Sequence, residues 1–206
     1  MTEKDKKYRT IRDISVAEHR IKKSRFIGLA TCVTTENEGI NFINKIREKY
    51  PNATHYCYAL SIIGSGPHKL IRSSDDGEPL NSAGKPILTA IESLELDNVI
   101  CVVVRYFGGI KLGIGGLIRA YGQTARDCLE NADTVIYIPT DRLQIEMSYD
   151  QIGKVINLVK RMQGKILGME QDSIARAEVL VRSSVIPQLE DGIKALNGDI
   201  VIKQIK

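Results

Sequence analysis

An unbroken apolar run, VICVVV over residues 99–104, lacks the every-second-residue alternation of a strand with one wet face. It predicts a strand buried on both faces. In the longer stretch VVVRYFGGIKLGIGGLIRAY (102–121) the β-branched run stops at Arg105, and five glycines follow within nine residues: Gly108, Gly109, Gly113, Gly115 and Gly116. Apolar positions Leu117, Tyr121, Ala125, Cys128 and Ala132 then recur at steps of three to four, which predicts a helix ending near Asn131. The whole reads as strand, glycine loop and helix. Each glycine loses more conformational freedom on folding than any other residue. A loop so rich in them either adopts positive φ repeatedly or lets something approach its backbone closely.

Upstream, residues 24–34 predict a strand, and Thr35 with Glu38 forms a capping box for a helix whose apolar face is Phe42, Ile43, Ile46 and Tyr50. Pro51-Asn52 ends that helix. His55 to Ile63 is a run of β-formers, Gly64 to Pro67 a turn, and Lys69 to Arg72 the start of a returning strand. Residues 73–88, SSDDGEPLNSAGKPIL, carry an acidic turn and then a second helix start at Lys85-Pro86, with Ile87, Ala90, Ile91 and Leu94 inward. Ile136 to Thr140, with Pro139, reads as a linker. Beyond it the periods run strand (Arg142–Tyr149), helix (from Asp150 to Gly164), two strands (near Lys165–Gln171 and Ala175–Val181), helix (from Pro187 to Gly198) and strand (Asp199–Lys206). That β-α-β-β-α-β order is the ferredoxin-like split unit. The expected organisation is two domains of an α+β protein, 1–136 and 137–206.

At 206 residues, 43% hydrophobic and 26% charged, the composition is that of an ordinary soluble globular protein. No apolar run approaches the roughly 18 residues that span a bilayer. The N-terminus has lysines but no apolar segment after them, so no secretory leader is expected, and a cytoplasmic setting follows. The net charge of +4 is unevenly spread: residues 1–25 hold nine Lys and Arg against four Asp and Glu, 26–139 ten against twelve, and 140–206 ten against nine. The excess therefore reads as an N-terminal basic arm, either a solvated terminus or a contact for phosphate backbones. Cys32, Cys57, Cys101 and Cys128 form no CxxC pair and are expected to be buried free thiols.

Three constellations could carry chemistry. The glycine loop at a helix N-terminus is a natural anion site, with Arg105, Lys111 and Arg119 around it, although it matches neither GxxxxGK[ST] nor GxGxxG. The acidic turn, Asp75, Asp76 and Glu78, could hold a hard cation or supply a base; the alternatives are a solvated turn or a cap for the next helix. If that turn and Lys85 lie beside the glycine loop, all of these residues form one polar cleft. His55 and Cys57 share a strand face and could join His68 on a metal, but no fourth ligand is spaced for it, and a half-buried, hydrogen-bonded histidine is the expectation. Hydrolase signatures such as GxSxG and HExxH are absent. No catalytic residue, metal or cofactor is assigned.

HYCYA (55–59), SDDGEP (74–79), AGKPIL (83–88) and RYFGGIKLGIGGLIRAY (105–121) resemble the YigZ/IMPACT family. The motifs cover roughly 20–132, and the predicted C-terminal unit is similar to the smaller domain of bacterial members. Leu80-Asn81-Ser82 stands where the family commonly has a Ser-Gly-Thr run, so the local geometry loses its glycine. The resemblance implies an N-terminal fold like the second domain of small-subunit ribosomal protein five and domain four of elongation factor G. Eukaryotic members regulate translation through a protein partner linked to a stress kinase. The resemblance therefore implies a non-catalytic regulator that binds RNA, the ribosome or a translation-linked protein, with no membrane partner. The alternative is an enzyme or sensor that binds a phosphorylated small molecule in the glycine-loop cleft.

Overall fold

The computed structural model describes residues 7–63, 69–196 and 198–205. The turn expected at 64–67 and His68 fall outside them. The chain divides into two compact units, one spanning Tyr8–Tyr137 and the other containing Ile138–Lys206.

The first unit is built on a five-stranded antiparallel sheet, ordered β2-β3-β6-β4-β5. Its strands are β2 (Ser15–Ile21), β3 (Ser24–Cys32), β4 (His55–Ile62), β5 (Leu70–Ser74) and β6 (Val99–Tyr106). Central β6 is buried at every position but its last, as its unbroken apolar run predicts. Val99, Cys101 and Val103 face one core, together with α2 (Gly84–Ser93) and α3 (Ile114–Glu130). Ile100, Val102 and Val104 face a second core under α1 (Glu36–Lys49). Helix α1 begins where the capping signal places it: the Thr35 hydroxyl accepts from the Glu38 amide at 3.2 Å, while the Glu38 carboxylate accepts from the Thr34 amide at 2.7 Å. Leu117, Tyr121, Ala125 and Cys128 of α3 are buried, with the Tyr121 ring edge-on to Phe26 at 5.2 Å.

Two expectations are corrected. The basic N-terminal segment is not a solvated arm from Tyr8 onward. It forms β1 (Tyr8–Ile11) and β2, and Ile11 is 1% exposed. Ile136 and Tyr137 of the segment read as a linker belong to β7 (Thr134–Tyr137), which pairs antiparallel with β1. Arg9, Arg12, Arg20 and Arg25 all find partners: the Leu94 carbonyl, Asp133 and, for the last two, Glu18.

The second unit is a four-stranded antiparallel sheet ordered β11-β8-β10-β9. These strands are β8 (Thr140–Met147), β9 (Lys165–Gln171), β10 (Ala175–Arg182) and β11 (Val201–Ile205). Helices α4 (Ile152–Arg161) and α5 (Ile186–Lys194) cover one face, and Leu143, Ile145, Val155, Leu158, Val179 and Leu189 fill the core between. Numbered within the unit, the strand order is 4-1-3-2, the ferredoxin-like arrangement that the element order predicts.

Candidate functional site

The acidic turn is a structural joint whose carboxylates point three ways. Asp75 Oδ1 accepts from the amides of Ala83 and Gly84 at 2.9 and 2.8 Å, and its Oδ2 accepts from Asn81 at 2.8 Å. Asp75 therefore caps α2 from nine residues upstream, satisfying donors that a helix start leaves unpaired. Gly84 is required there, because a Cβ would fall 2.8 Å from the Ser74 backbone. Asn81 has φ +61°, the left-handed geometry that glycine supplies elsewhere and that asparagine tolerates best among side-chain residues. The absent glycine is thus replaced by the residue that can hold its conformation. Asp76 Oδ2 accepts from the Tyr56 amide at 2.7 Å and its Oδ1 from Arg47 at 2.9 Å. Neither aspartate is left for a cation. Among the described residues no cluster of three or more His, Cys, Asp and Glu is arranged for a metal.

Glu78 behaves differently. Its side chain is 4% exposed and lies against Arg105, whose side chain is 6% exposed, with Nη1 donating to Oε1 at 2.5 Å. The Tyr121 hydroxyl donates to the same oxygen at 2.7 Å. Burial pushes the Tyr121 hydroxyl's pKa up, which keeps it protonated as a donor. The acidic turn and the glycine-loop strand do meet, therefore, but through a buried ion pair. His55 stands beside it. Its Nδ1–H donates to the Asp76 carbonyl at 2.7 Å, leaving Nε2 3.9 Å from Glu78 Oε1. This is the half-buried, hydrogen-bonded histidine expected from sequence. The Cys57 thiol donates to the Asp75 carbonyl at 3.0 Å, and burial pushes its pKa up to about 12, so it stays a neutral thiol and no nucleophile.

The glycines divide by task. Gly108 lies so close to the β2–β3 turn that a Cβ would sit 2.1 Å from the Lys23 carbonyl, and its amide donates to Ser24 Oγ at 3.2 Å. Gly109 and Gly113 have φ +84° and +72°. Gly113 is the N-cap of α3, and no side chain caps that helix. Gly115 and Gly116 lie in its first turn, where the first amides of a helix lack intrahelical acceptors.

Two depressions adjoin this exposed helix start, and a third lies between α2 and the middle of α3. A cavity of about 390 Å³ is walled by Glu78, Arg105, Lys111 and Gly113 together with Phe107, Leu112, Ile114 and Leu117. A second, of about 520 Å³, holds Lys22, Gly116 and Arg119 and shares Leu112 with the first. A third, of about 340 Å³, holds Lys85 and Arg126 and shares Ile118 and Gly122 with the second. The residues expected in one cleft are thus distributed over neighbouring grooves. Asp75 and Asp76 face the α2 N-terminus and α1 instead, and Gly108 and Gly109 shape the loop.

Residues 22–129 match the Impact N-terminal domain. The chain belongs to the IMPACT family. It is 40% identical over 156 residues to the IMPACT family member YvyE of Bacillus subtilis, covering 76% of this chain and 71% of that one. It is 30% identical over 175 residues to the IMPACT family member YigZ of Escherichia coli, covering 85% of both. Among solved structures, a crystal structure of a hypothetical protein superposes with a TM-score of 0.68 at 27% identity, covering 97% of this chain and 98% of the other. That whole-chain likeness places this IMPACT protein in a mixed α/β fold. No helix among its described residues is long and apolar enough to cross a membrane.

Sequence reasoning missed Phe107, Ile114 and the α1 residue Arg47 as parts of the site region. Exposed apolar side chains beside glycines were the available signal for the first two. Nothing local signals that Arg47 pairs with a carboxylate 29 positions away.

Proposed function

We propose that this chain is a non-catalytic, translation-associated regulator that binds RNA, with the ribosome as its natural setting, through the face around the start of α3. The observation that carries this reading is the set of Lys22, Lys85, Lys111 and Arg119. All four are exposed, and none makes an ion pair among the described residues. They surround a 17-residue helix whose N-terminus has no side-chain cap. Lys22, Lys111 and Arg119 near the helix start, with Lys85 in the adjoining groove, make a field that favours phosphates. Of the acidic turn's carboxylates, Asp76 and Glu78 are each paired with an arginine.

Binding of this kind is salt-dependent, because each neutralised phosphate releases counterions. Titrating structured RNA at several salt concentrations tests the reading. Replacing Lys22, Lys111 and Arg119 together by Gln should reduce the slope of log K against log salt by about 2–3. An unchanged slope, or no co-sedimentation with ribosomes at low salt, overturns it.

A second reading, a sensor or enzyme for a phosphorylated small molecule, is favoured by the cavity of about 390 Å³, which is the size of a small-ligand pocket. A thermal-shift screen of phosphorylated metabolites separates the two, since only this reading expects a melting shift that Lys111→Ala removes.

A further inference from the structure

We infer that two copies of this chain associate through the outer edge of β2, pairing antiparallel about a two-fold axis at His19, so that Glu18 of each copy faces Arg20 of the other. This goes beyond the RNA-binding reading and does not depend on it. Strand β2 ends the order of the five-stranded sheet, and among the described residues no strand pairs with its outer side. Such an edge presents a row of N–H and C=O groups that can pair with another strand. Folded chains block the edge with proline, a bulge or a very short strand. β2 has none of these. It is seven residues long, SVAEHRI, and stays in unbroken register with β3 from Ser15 opposite Ala30 to Ile21 opposite Ser24.

The side chains on this edge select a second copy as the partner. Residues directly opposite in an antiparallel pair share a face. Val16, Glu18 and Arg20 stand opposite Leu29, Ile27 and Arg25, on the α1 side of the sheet, and Ala17, His19 and Ile21 lie on the α3 side. A two-fold axis normal to the sheet keeps each face on its own side, which leaves few self-pairing registers. An axis at Glu18 or at Arg20 sets that charge directly against its own copy, which is destabilising. An axis at Ala17 sets Glu18 against Val16 and Arg20 against Ile14. An axis at His19 pairs Glu18 with Arg20 twice, and half-buried Ala17 with half-buried Ile21 twice.

The single chain leaves these charges poised for that register. Arg25 donates to both oxygens of Glu18, at 2.9 and 2.8 Å, which fixes the carboxylate and leaves each oxygen a further lone pair. Arg20 stands opposite Arg25, a like charge, and approaches Glu18 of its own chain only to 3.5 Å, with its side chain 78% exposed. A second copy brings a carboxylate directly opposite it. At the axis His19 meets its counterpart, each with its own Asp127 carboxylate 2.7 Å from Nε2. Helix α3 packs against both β2 and β3. Pairing at the usual strand spacing therefore sets the two α3 helices roughly 10 Å apart, a distance at which helices pack.

Sedimentation equilibrium of the full chain tests the inference. The mass should rise from 22.9 kDa toward twice that as concentration increases from micromolar to near-millimolar. Glu18→Arg alone and Arg20→Glu alone should each weaken association about ten-fold or more, because each turns both attractive pairs repulsive. An equimolar mixture of the two variants should recover it, since the Glu18→Arg chain is then matched at both positions by the Arg20→Glu chain. Recovery also shows that both variants are folded. Hydrogen exchange of the unaltered chain gives a second reading, in which amides of β2 gain protection as concentration rises. A chain that stays monomeric throughout overturns the inference. So does a dimer that both single variants leave intact, or one that forms without added protection in β2. Variants that each dissociate but fail to recover when mixed overturn the register at His19.

Discussion

Arg105 is the residue on which the site turns. A charged residue after six apolar ones reads as the exit of a strand into solvent, yet β6 continues through it and packs it between Phe26 and Phe107. A charge so far from water is tolerated only with a partner, and Glu78 supplies it. Glu78→Ala should destabilise the first unit by roughly 3–5 kcal/mol, because it strands the guanidinium and also deprives the Tyr121 hydroxyl of its acceptor. Glu78→Leu combined with Arg105→Met should recover much of that loss, since an apolar pair of similar volume escapes the desolvation cost. Urea unfolding of the two single variants and the double variant checks this as a mutant cycle. A single-variant loss below about 1 kcal/mol would mean that the pair is not buried as described. Sequence could place both residues near one site but not reveal that they neutralise each other. Their 27-residue separation gives no periodic signal, and the turn that delivers Glu78 depends on Asp75 capping a helix.

At the level of elements, legibility followed the range of the interactions that hold each one. Helices α1 to α5 and strands β8 to β11 are local patterns of period 3.6 or 2, and the sequence placed them to within a few residues. Strands β1 and β7 are four residues each and pair across more than a hundred positions. Their side chains alternate weakly, and β1 sits in the most basic part of the chain, so composition there spoke for an arm. The glycine loop was legible as a whole, though not glycine by glycine, and the structure ranks its members. Gly108→Ala should be the most damaging, since its methyl group meets backbone at 2.1 Å and would push β6 from the β2–β3 turn. Gly109→Ala and Gly113→Ala meet nothing within 4 Å but force a left-handed φ, for a cost of about 1–2 kcal/mol each. Gly115→Ala goes the other way. It is helical, and the added Cβ would lie 3.7 Å from the Arg119 side chain, so it should gain roughly 0.4–1 kcal/mol. Thermal midpoints of the four variants test the order. A stabilising Gly109→Ala, or a harmless Gly108→Ala, would contradict the backbone described for this loop.

Across the whole molecule, the formal charge of +4 is a poor guide to where a polyanion would bind. Among the described residues of the first 25, Arg12, Arg20 and Arg25 pair with carboxylates of the first unit, while Lys7, Lys22 and Lys23 are exposed. The second unit has as many cations available on paper, and its sheet has the architecture on which some RNA-binding domains stack bases. The open face of that sheet is already neutralised, however. Lys203 and Arg176 pair with Glu146 at 3.2 and 3.5 Å, and Arg142 pairs with Glu178 at 3.2 Å. Strands β8 to β11 contain no aromatic side chain on which a base could stack. Position rather than number of cations should therefore govern affinity. Replacing Arg142 and Lys203 together by Gln removes two positive charges, as many as Lys111→Gln with Arg119→Gln. If binding tracked net charge, the two double variants would weaken RNA binding equally. The arrangement of partners predicts instead that the Arg142 and Lys203 variant keeps both affinity and salt slope, while the Lys111 and Arg119 variant loses about 1.5–2 units of slope. Equal losses would show that a diffuse positive field does the binding, and a larger loss from Arg142 and Lys203 would move the interface to the ferredoxin-like sheet.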